Sequence, residues 1–375
     1  MSEPDLPVSI RYGVGLCLSG GGYRAMLFHI GCLRRLAELG WLPRLDFVSS
    51  VSGGSITAAA LALAWGELAD EQFSPAAFTD HVEAPLRNLA STNIDTKAVL
   101  GGLVKFDKSI SSRVVAALDD GLFHCATLQE LPDAPRFIFN ATNLQTGSLL
   151  RFSKPYLRDY QVARIVSPNV PLATAVAASA AFPPFLSPLR LEVNPSLWDE
   201  IEPAPAGVVP WPPRELVLTD GGVYDNLGLE PVWKRCGTVL VSDGGGQMGY
   251  AADVANDWLR HLRRVLSVVD NQVRDLRKRT LIADYRRQAY AGAYWGIRTD
   301  IVDYGLPAGQ ALLAPLTATR RLAAIPTRLA AMDRTEQAQL INWGYAVTDA
   351  AMRRHLPDPS YAAPVFPCPG GVGQA

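Results

Sequence analysis

Twice within the first 65 residues an apolar run breaks off into small residues, and a helix-spaced series begins at once. VGLCL (Val14 to Leu18) ends in Ser19-Gly20-Gly21-Gly22. Ala25, Phe28, Cys32, Leu36 and Leu39 follow at helical spacing until Gly40 closes the segment as a helix C-cap does. Asp46-Phe47-Val48 leads into a second run, which ends in Ser50-Val51-Ser52-Gly53-Gly54-Ser55 and opens an Ala-rich helix from Gly53 to about Trp65. A short apolar run bounded by glycine reads as a buried parallel strand. Strand, helix, strand, helix with short connections predicts a parallel α/β sheet.

Residues 66–132 are less regular and predict a helical insertion, a wall or lid over a site. Sheet character returns with RFIFNAT (Arg136 to Thr142) and SLLRF (Ser148 to Phe152), joined by a hairpin-type connection from Asn143 to Gly147. A small-residue helix (Pro171 to Ala181) runs up against Pro183-Pro184, and a loop with six prolines covers Asn194 to Pro213. Two more strands are expected at Glu215 to Asp220 and Thr238 to Asp243. The remainder reads as helical. Val254, Trp258, Leu262, Val265, Val269, Val273 and Leu276 keep a 3–4 residue spacing, with Arg260, Arg263, Arg264, Arg274, Arg277, Lys278 and Arg279 on the other face. The expectation is a docked helix with a solvated basic face, in preference to a membrane-surface helix, because Asp253, Asp257, Asp270 and Asp275 interrupt the positive field.

Composition narrows the function classes. Of 375 residues, 35 are Lys or Arg and 36 Asp or Glu, so the net charge of −1 removes the electrostatic case for a general nucleic-acid binder. A 48% hydrophobic share with 19% charged residues supports a large core and excludes extensive disorder. The 29 Arg against 6 Lys read as a mark of genome composition rather than a dedicated anion site. Cys17, Cys32, Cys125, Cys236 and Cys368 form no framework and are expected as reduced thiols. The acidic, Pro-containing first residues lack signal-peptide character, and no uncharged apolar run reaches 18 residues, so a cytoplasmic location is expected.

Three turns carry chemistry. Ser19 to Arg24 places consecutive glycines at a helix N-terminus, where exposed N–H groups stabilise a phosphate or a developing oxyanion. No Gly-Lys-Ser/Thr follows, which excludes a Walker loop. Ser50 to Ser55 has the form S-x-S-x-G, an elbow in which Ser52 is lifted clear of the sheet, with Ser50 where the usual pattern has glycine. The same residues also suit a plain N-cap, and the motif alone does not decide between the two. Asp220 ends a strand in Thr219-Asp220-Gly221-Gly222-Val223-Tyr224-Asp225-Asn226, and Asp243 before Gly244-Gly245-Gly246 is a competitor.

Taken in order, the GGGYR loop, the serine elbow, FNATNLQTG (Phe139 to Gly147), ASAAFPPF (Ala178 to Phe185) and DGGVYDN resemble the patatin-like phospholipases over roughly residues 12–230. The resemblance implies a three-layer α/β/α fold with a mainly parallel central sheet, a helical insertion and a helical C-terminal extension. It implies a catalytic domain over residues 10–250, with 66–132 as insertion or lid, and an extension over 251–360 packed on the same domain. By position in the motifs, Ser52 is the nucleophile, Asp220 the dyad aspartate, and Gly20, Gly21, Gly22 and Gly53 the oxyanion hole. Arg24 matches a basic residue that orders the loop or attracts a phosphate-bearing substrate. Asp243 lacks the V-Y-D-N continuation, which favours Asp220.

The implied partner is a lipid or acyl-ester substrate met in transient peripheral membrane contact, with no cofactor, no metal and no nucleic acid. AVLGGLVKF (Ala98 to Phe106) and the Pro-rich loop are candidate contact surfaces. A Ser–Asp–His triad would have only His261 or His355 after Asp220, both in Arg-rich helical sequence without a loop signal. No two histidines have metal-ligand spacing. The alternatives are a non-lipid esterase or thioesterase with the same dyad, and a non-catalytic anion-binding α/β module.

Overall fold

In a computed structural model of the chain, the structure describes residues 12–94, 110–184, 186–246, 248–250, 252, 254 and 257–373. The expected surface at Ala98 to Phe106 lies outside them. Strands β1 (Val14–Leu18), β2 (Phe47–Ser50), β3 (Arg136–Asn143), β4 (Ser148–Ser153), β5 (Tyr156–Asp159), β6 (Ala163–Val166), β7 (Leu189–Glu192), β8 (Trp198–Asp199), β9 (Glu215–Asp220), β10 (Thr238–Asp243) and β11 (Ala291–Gly296) form one mixed sheet. Its core, in the order β11-β10-β1-β2-β3, is parallel throughout. Beyond β3 the strands β4, β5, β6 and β8 add as antiparallel neighbours.

The parallel strands alternate between two apolar layers, as the two-residue period of a strand requires. Leu16, Leu18, Leu240, Ala293 and Trp295 point into the larger core, which holds helix α1 (Gly22–Glu38), helix α2 (Gly53–Leu63) and helix α3 (Leu172–Ser179). Cys17, Val239, Val241 and Tyr294 point the other way, onto Val232 and onto Leu281 of helix α4 (Trp258–Arg286). The result is the three-layer α/β/α arrangement that the sequence implies. All five cysteines are free, four of them buried.

Helix α1 is sandwiched between the sheet and helix α5 (Arg334–His355), and two glycines let the helices cross closely. A Cβ on Gly31 would lie 1.8 Å from the Ile341 carbonyl oxygen, and one on Gly344 would lie 1.9 Å from that of Phe28. Gly344→Ala is therefore expected to destabilise by about 1–3 kcal/mol through overpacking, read as a lower urea midpoint. Arg35 and Asp349 lock the crossing with a buried ion pair at 2.6 Å.

In the C-terminal third, two elements differ from the sequence expectation. The C-terminal third is not wholly helical, because Ala291–Gly296 pairs with β10 as the edge strand of the parallel core. Its two glycines and short length give it no strand signature. Helix α4 also faces the opposite way from the expected one. Arg274 is 7% exposed, whereas Trp258 is 76% exposed.

Candidate active site

The turn after β2 is strained. Ser52 has φ 53° and ψ −121° and caps the start of α2 without using its side chain. A non-glycine residue adopts that backbone only when its surroundings impose it. They do so here by close approach: a Cβ on Gly53 would lie 2.1 Å from the Gly22 carbonyl oxygen, and one on Gly54 would lie 2.4 Å from that of Leu18.

Where the elbow pattern has glycine, Ser50 puts its hydroxyl to use. It donates to the Ile138 carbonyl (3.2 Å) and so must accept from Ser55 (3.0 Å). Ser55 in turn accepts from Ser179 (2.8 Å), and the Ser52 N–H donates to Ser179 Oγ (3.0 Å). Four serines thus tie β2, α2 and the end of α3 to the backbone of Ser52. Ser179→Ala leaves the buried Ser52 N–H without its acceptor. The expected cost is about 1–3 kcal/mol of stability, with kcat falling more than KM changes, measured by thermal melts and steady-state hydrolysis.

Asp220 arrives from the opposite direction. The sequence predicts it at the carboxyl end of a strand on the same sheet edge as Ser52, yet β9 runs antiparallel to β3 and also pairs β7. Phe139 pairs with Ser50 on one flank and Phe152 on the other, while Ala141 pairs with Asp220 and Leu150. Strands β2 and β9 therefore share one flank of β3 and run towards each other end to end. This brings Ser52 and Asp220 together although 167 residues separate them in the chain. The backbone of Asp220 is pinned by its N–H to Ala181 O (3.0 Å) and by Thr142 Oγ1 to its own carbonyl (2.9 Å).

The Asp220 carboxyl accepts from Gly222 N–H at 2.7 Å, and the residue is 2% exposed. Burial pushes its pKa up to about 7, the Gly222 N–H and the Ser52 hydroxyl oppose that rise, and the charge of Asp270 on α4 adds to it. Asp243 behaves in the opposite way. Burial alone would raise its pKa, but Arg274, the Tyr294 hydroxyl (2.7 Å) and the Gly245 N–H (2.9 Å) outweigh it and hold Asp243 ionised. Only Asp220 of the two has the proton affinity that suits a base near neutral pH.

The glycine loop between β1 and α1 divides its work. Gly21 (φ 147°) and Gly22 (φ 60°) adopt left-handed backbone. Their N–H groups and that of Gly53 have no acceptor among the described residues. Gly20 departs from its expected place among the oxyanion donors, because its N–H is spent on the Asn226 carbonyl at 3.1 Å. A Cβ on Gly20 would instead lie 3.1 Å from Ser52 Cβ, so this glycine lets the loop sit against Ser52. Asn226 is the residue that sequence reasoning left without a role, although it stands in the D-N ending of the DGGVYDN turn.

Arg24 is likewise turned inward and is 2% exposed. It donates to Gly244 O (3.2 Å), Ile325 O and Thr327 Oγ1 (3.0 Å). Burial lowers its pKa to about 10, with Arg274 adding to the fall and Asp243 opposing it. Of its two expected roles, ordering the loop fits this placement and meeting a phosphate does not. Tyr23 N–H to Arg328 O (3.0 Å) completes the clamp, joining the glycine loop to a C-terminal segment with no motif of its own.

The histidines stay apart from Ser52. His29 lies behind the glycine loop, 2.8 Å from Ser242 Oγ and 2.9 Å from Ser19 O. Burial lowers its pKa to about 4, so it is neutral. His261 is exposed on α4, and His355 packs edge-on against Tyr304 at the end of α5. Among the described residues no group of three His, Cys, Asp or Glu could hold a metal ion, and no helix is long and apolar enough to cross a membrane.

A strained serine beside a buried carboxyl and a row of open backbone N–H groups is hydrolase architecture. The family model of the patatin-like phospholipases matches residues 16–233, well over half of the chain, and the chain belongs to that family of lipid acyl hydrolases. No curated protein sequence matches it. It is similar to human GIVD cytosolic phospholipase A2, solved in complex with methyl gamma-linolenyl fluorophosphonate, at 15% identity and a TM-score of 0.47 over 93% of this chain and 58% of that one. It is also similar to VipD from Legionella pneumophila, at 15% identity and a TM-score of 0.38 over 92% and 67%. The chain thus spans about three fifths of the human chain's length. Likenesses scoring below 0.5 decide nothing further, and the family rests on residues 16–233.

Proposed function

We propose that the protein hydrolyses acyl esters of lipids through a Ser52–Asp220 dyad, with Gly21, Gly22 and Gly53 as the oxyanion donors. Ser52 Oγ attacks the ester carbonyl as Asp220 takes its proton. The three N–H groups hold the oxyanion, and the alcohol leaves with the proton from Asp220. Water, deprotonated by Asp220 in turn, attacks the acyl-enzyme, and Ser52 Oγ leaves with that proton as the fatty acid is released. The observation that carries this reading is the meeting of a strained Ser52 with a carboxyl whose burial raises its pKa to about 7. An anion-binding module would use the same open N–H groups, but it has no need for that pairing.

We assign the catalytic unit to residues 10–250, the insertion 66–132 to its wall, and 251–360 to an extension on the same domain. The clamp from Ile325 to Arg328 onto the glycine loop supports that last assignment. Five free thiols fit a cytoplasmic location.

The test is a panel of phospholipid, lysophospholipid, acylglycerol, short-chain ester and acyl thioester, with products identified by mass spectrometry. Fatty-acid release from the lipids is expected. Cleavage confined to the short ester or the thioester would favour the non-lipid reading, and no release from any would contradict the dyad.

A further inference from the structure

Helix α4 meets the rest of the protein through its polar side. Arg274 reaches the Gly246 carbonyl, Arg277 pairs with Glu230 at 3.3 Å and lies 3.6 Å from Asp225, and Leu281 is the fully buried apolar contact. Trp258, Leu262, Val265, Leu266, Val269 and Leu276 stand free, each between 44% and 76% exposed. At about 100° per residue these six share an arc of roughly 100°, and exposed Val268 stands beyond it, past His261 and Arg279. A helix on a globular protein ordinarily turns such a stripe inward, and contiguous exposed apolar surface marks an interaction site.

We infer that this face of α4 is a docking surface for a bilayer bearing anionic phospholipids. The proposal deepens the reading of the site as a lipid acyl hydrolase and rests on it. Charge selects this occupant. Trp258–Arg286 carries eight Lys or Arg against three Asp, and with Arg274 and Arg277 taken up by the protein six cations remain, on a chain whose net charge is −1. A helix with an apolar arc holding Trp and Leu, and cations on the rest of its circumference, lies in the plane of an anionic interface, its arginines reaching up to the headgroups. A second copy of the chain fits less well, because a coiled-coil seam is narrower than an arc broadened by Leu266. Position agrees as well. Arg274 braces the turn after Asp243, and Arg277 reaches Tyr224 O (3.5 Å) and Asp225 in the turn that follows Asp220, so the helix runs beside the proposed dyad.

The test uses the full chain carrying Ser52→Ala, pelleted with sucrose-loaded vesicles of phosphatidylcholine alone or mixed with phosphatidylglycerol. Binding is expected to the mixed vesicles. Leu262→Glu with Val265→Glu, both at exposed positions, should lower the partition coefficient at least about tenfold. Arg260→Glu with Arg264→Glu should lower it about fivefold for each cation lost, on mixed vesicles alone. In the Ser52 background, hydrolysis of a water-soluble ester should be unchanged by either pair. Wild-type-like pelleting of the Leu262/Val265 variant would overturn the proposal. So would a dimer in analytical ultracentrifugation that this variant dissociates, since a second copy would then cover the stripe. If the wild type releases no acid from any of the lipids or esters, the dyad reading falls while the vesicle result still decides the docking surface.

Discussion

Ser52→Ala is expected to lower kcat/KM for acyl esters by about 10⁴–10⁶-fold while leaving the fold intact. The two halves of that expectation separate a nucleophile from a helix cap. A serine that caps through its hydroxyl costs about 1 kcal/mol when truncated. Ser52 makes no side-chain cap bond at the start of α2, so truncation should move stability by no more than about 0.5 kcal/mol. Its backbone strain is set by Gly53 and Gly54 pressing on Gly22 and Leu18, and alanine bears it as serine does. The Ser52 hydroxyl also lowers the Asp220 pKa, so its loss should raise that pKa further. Steady-state kinetics with thermal melts of the purified variant check both halves.

Asp220→Asn is expected to lower kcat about 10²–10⁴-fold, the usual worth of a positioned general base. The wild-type rate should climb with pH to a plateau above about 7, as Asp220 loses its proton, and that limb should vanish in the variant. Stability should move in the opposite sense to activity. The folded pKa of about 7 lies above the unfolded value of about 3.9, so between those limits the folded state holds the extra proton. Wild-type stability from this group therefore declines as pH rises from about 4 to about 7 and stays low above that. Asparagine keeps an oxygen for the Gly222 N–H and never ionises. At pH 8 the variant should be more stable than wild type by about 2–4 kcal/mol, at roughly 1.4 kcal/mol per pKa unit, with little gain near pH 4. Denaturant melts at the two pH values read the difference.

What the sequence announces is local chemistry. The glycines of the β1–α1 loop, the Ser52 elbow and the Asp220 turn are legible because tight turns and close backbone approach demand particular residues in short order. The direction of a strand is not written into its residues. Nothing in ELVLTD says that β9 enters against β3, and its pairing with Ala141 comes from the sheet as a whole. The strands at Tyr156–Asp159 and Ala163–Val166 are four residues each, too short for a period to emerge. Arg24 and Gly20 could not be assigned from their motif, since their partners are Ile325 and Thr327 in one case and Asn226 in the other. Helix α4 shows the same limit. Its amphipathic period is plain, yet which face docks depends on Asp225, Glu230 and the Gly246 carbonyl, and these favour the arginine side.

The central claim is that Ser52 is the nucleophile and that Asp220 removes its proton. Labelling with an alkyl fluorophosphonate across pH 5 to 9, followed by peptide mapping, tests both parts at once. The expected result is one adduct on the Ser52 peptide, formed at a rate that rises through about pH 7 and slows strongly in Asp220→Asn. An adduct on another serine, or a rate on Ser52 indifferent to Asp220→Asn, would contradict it.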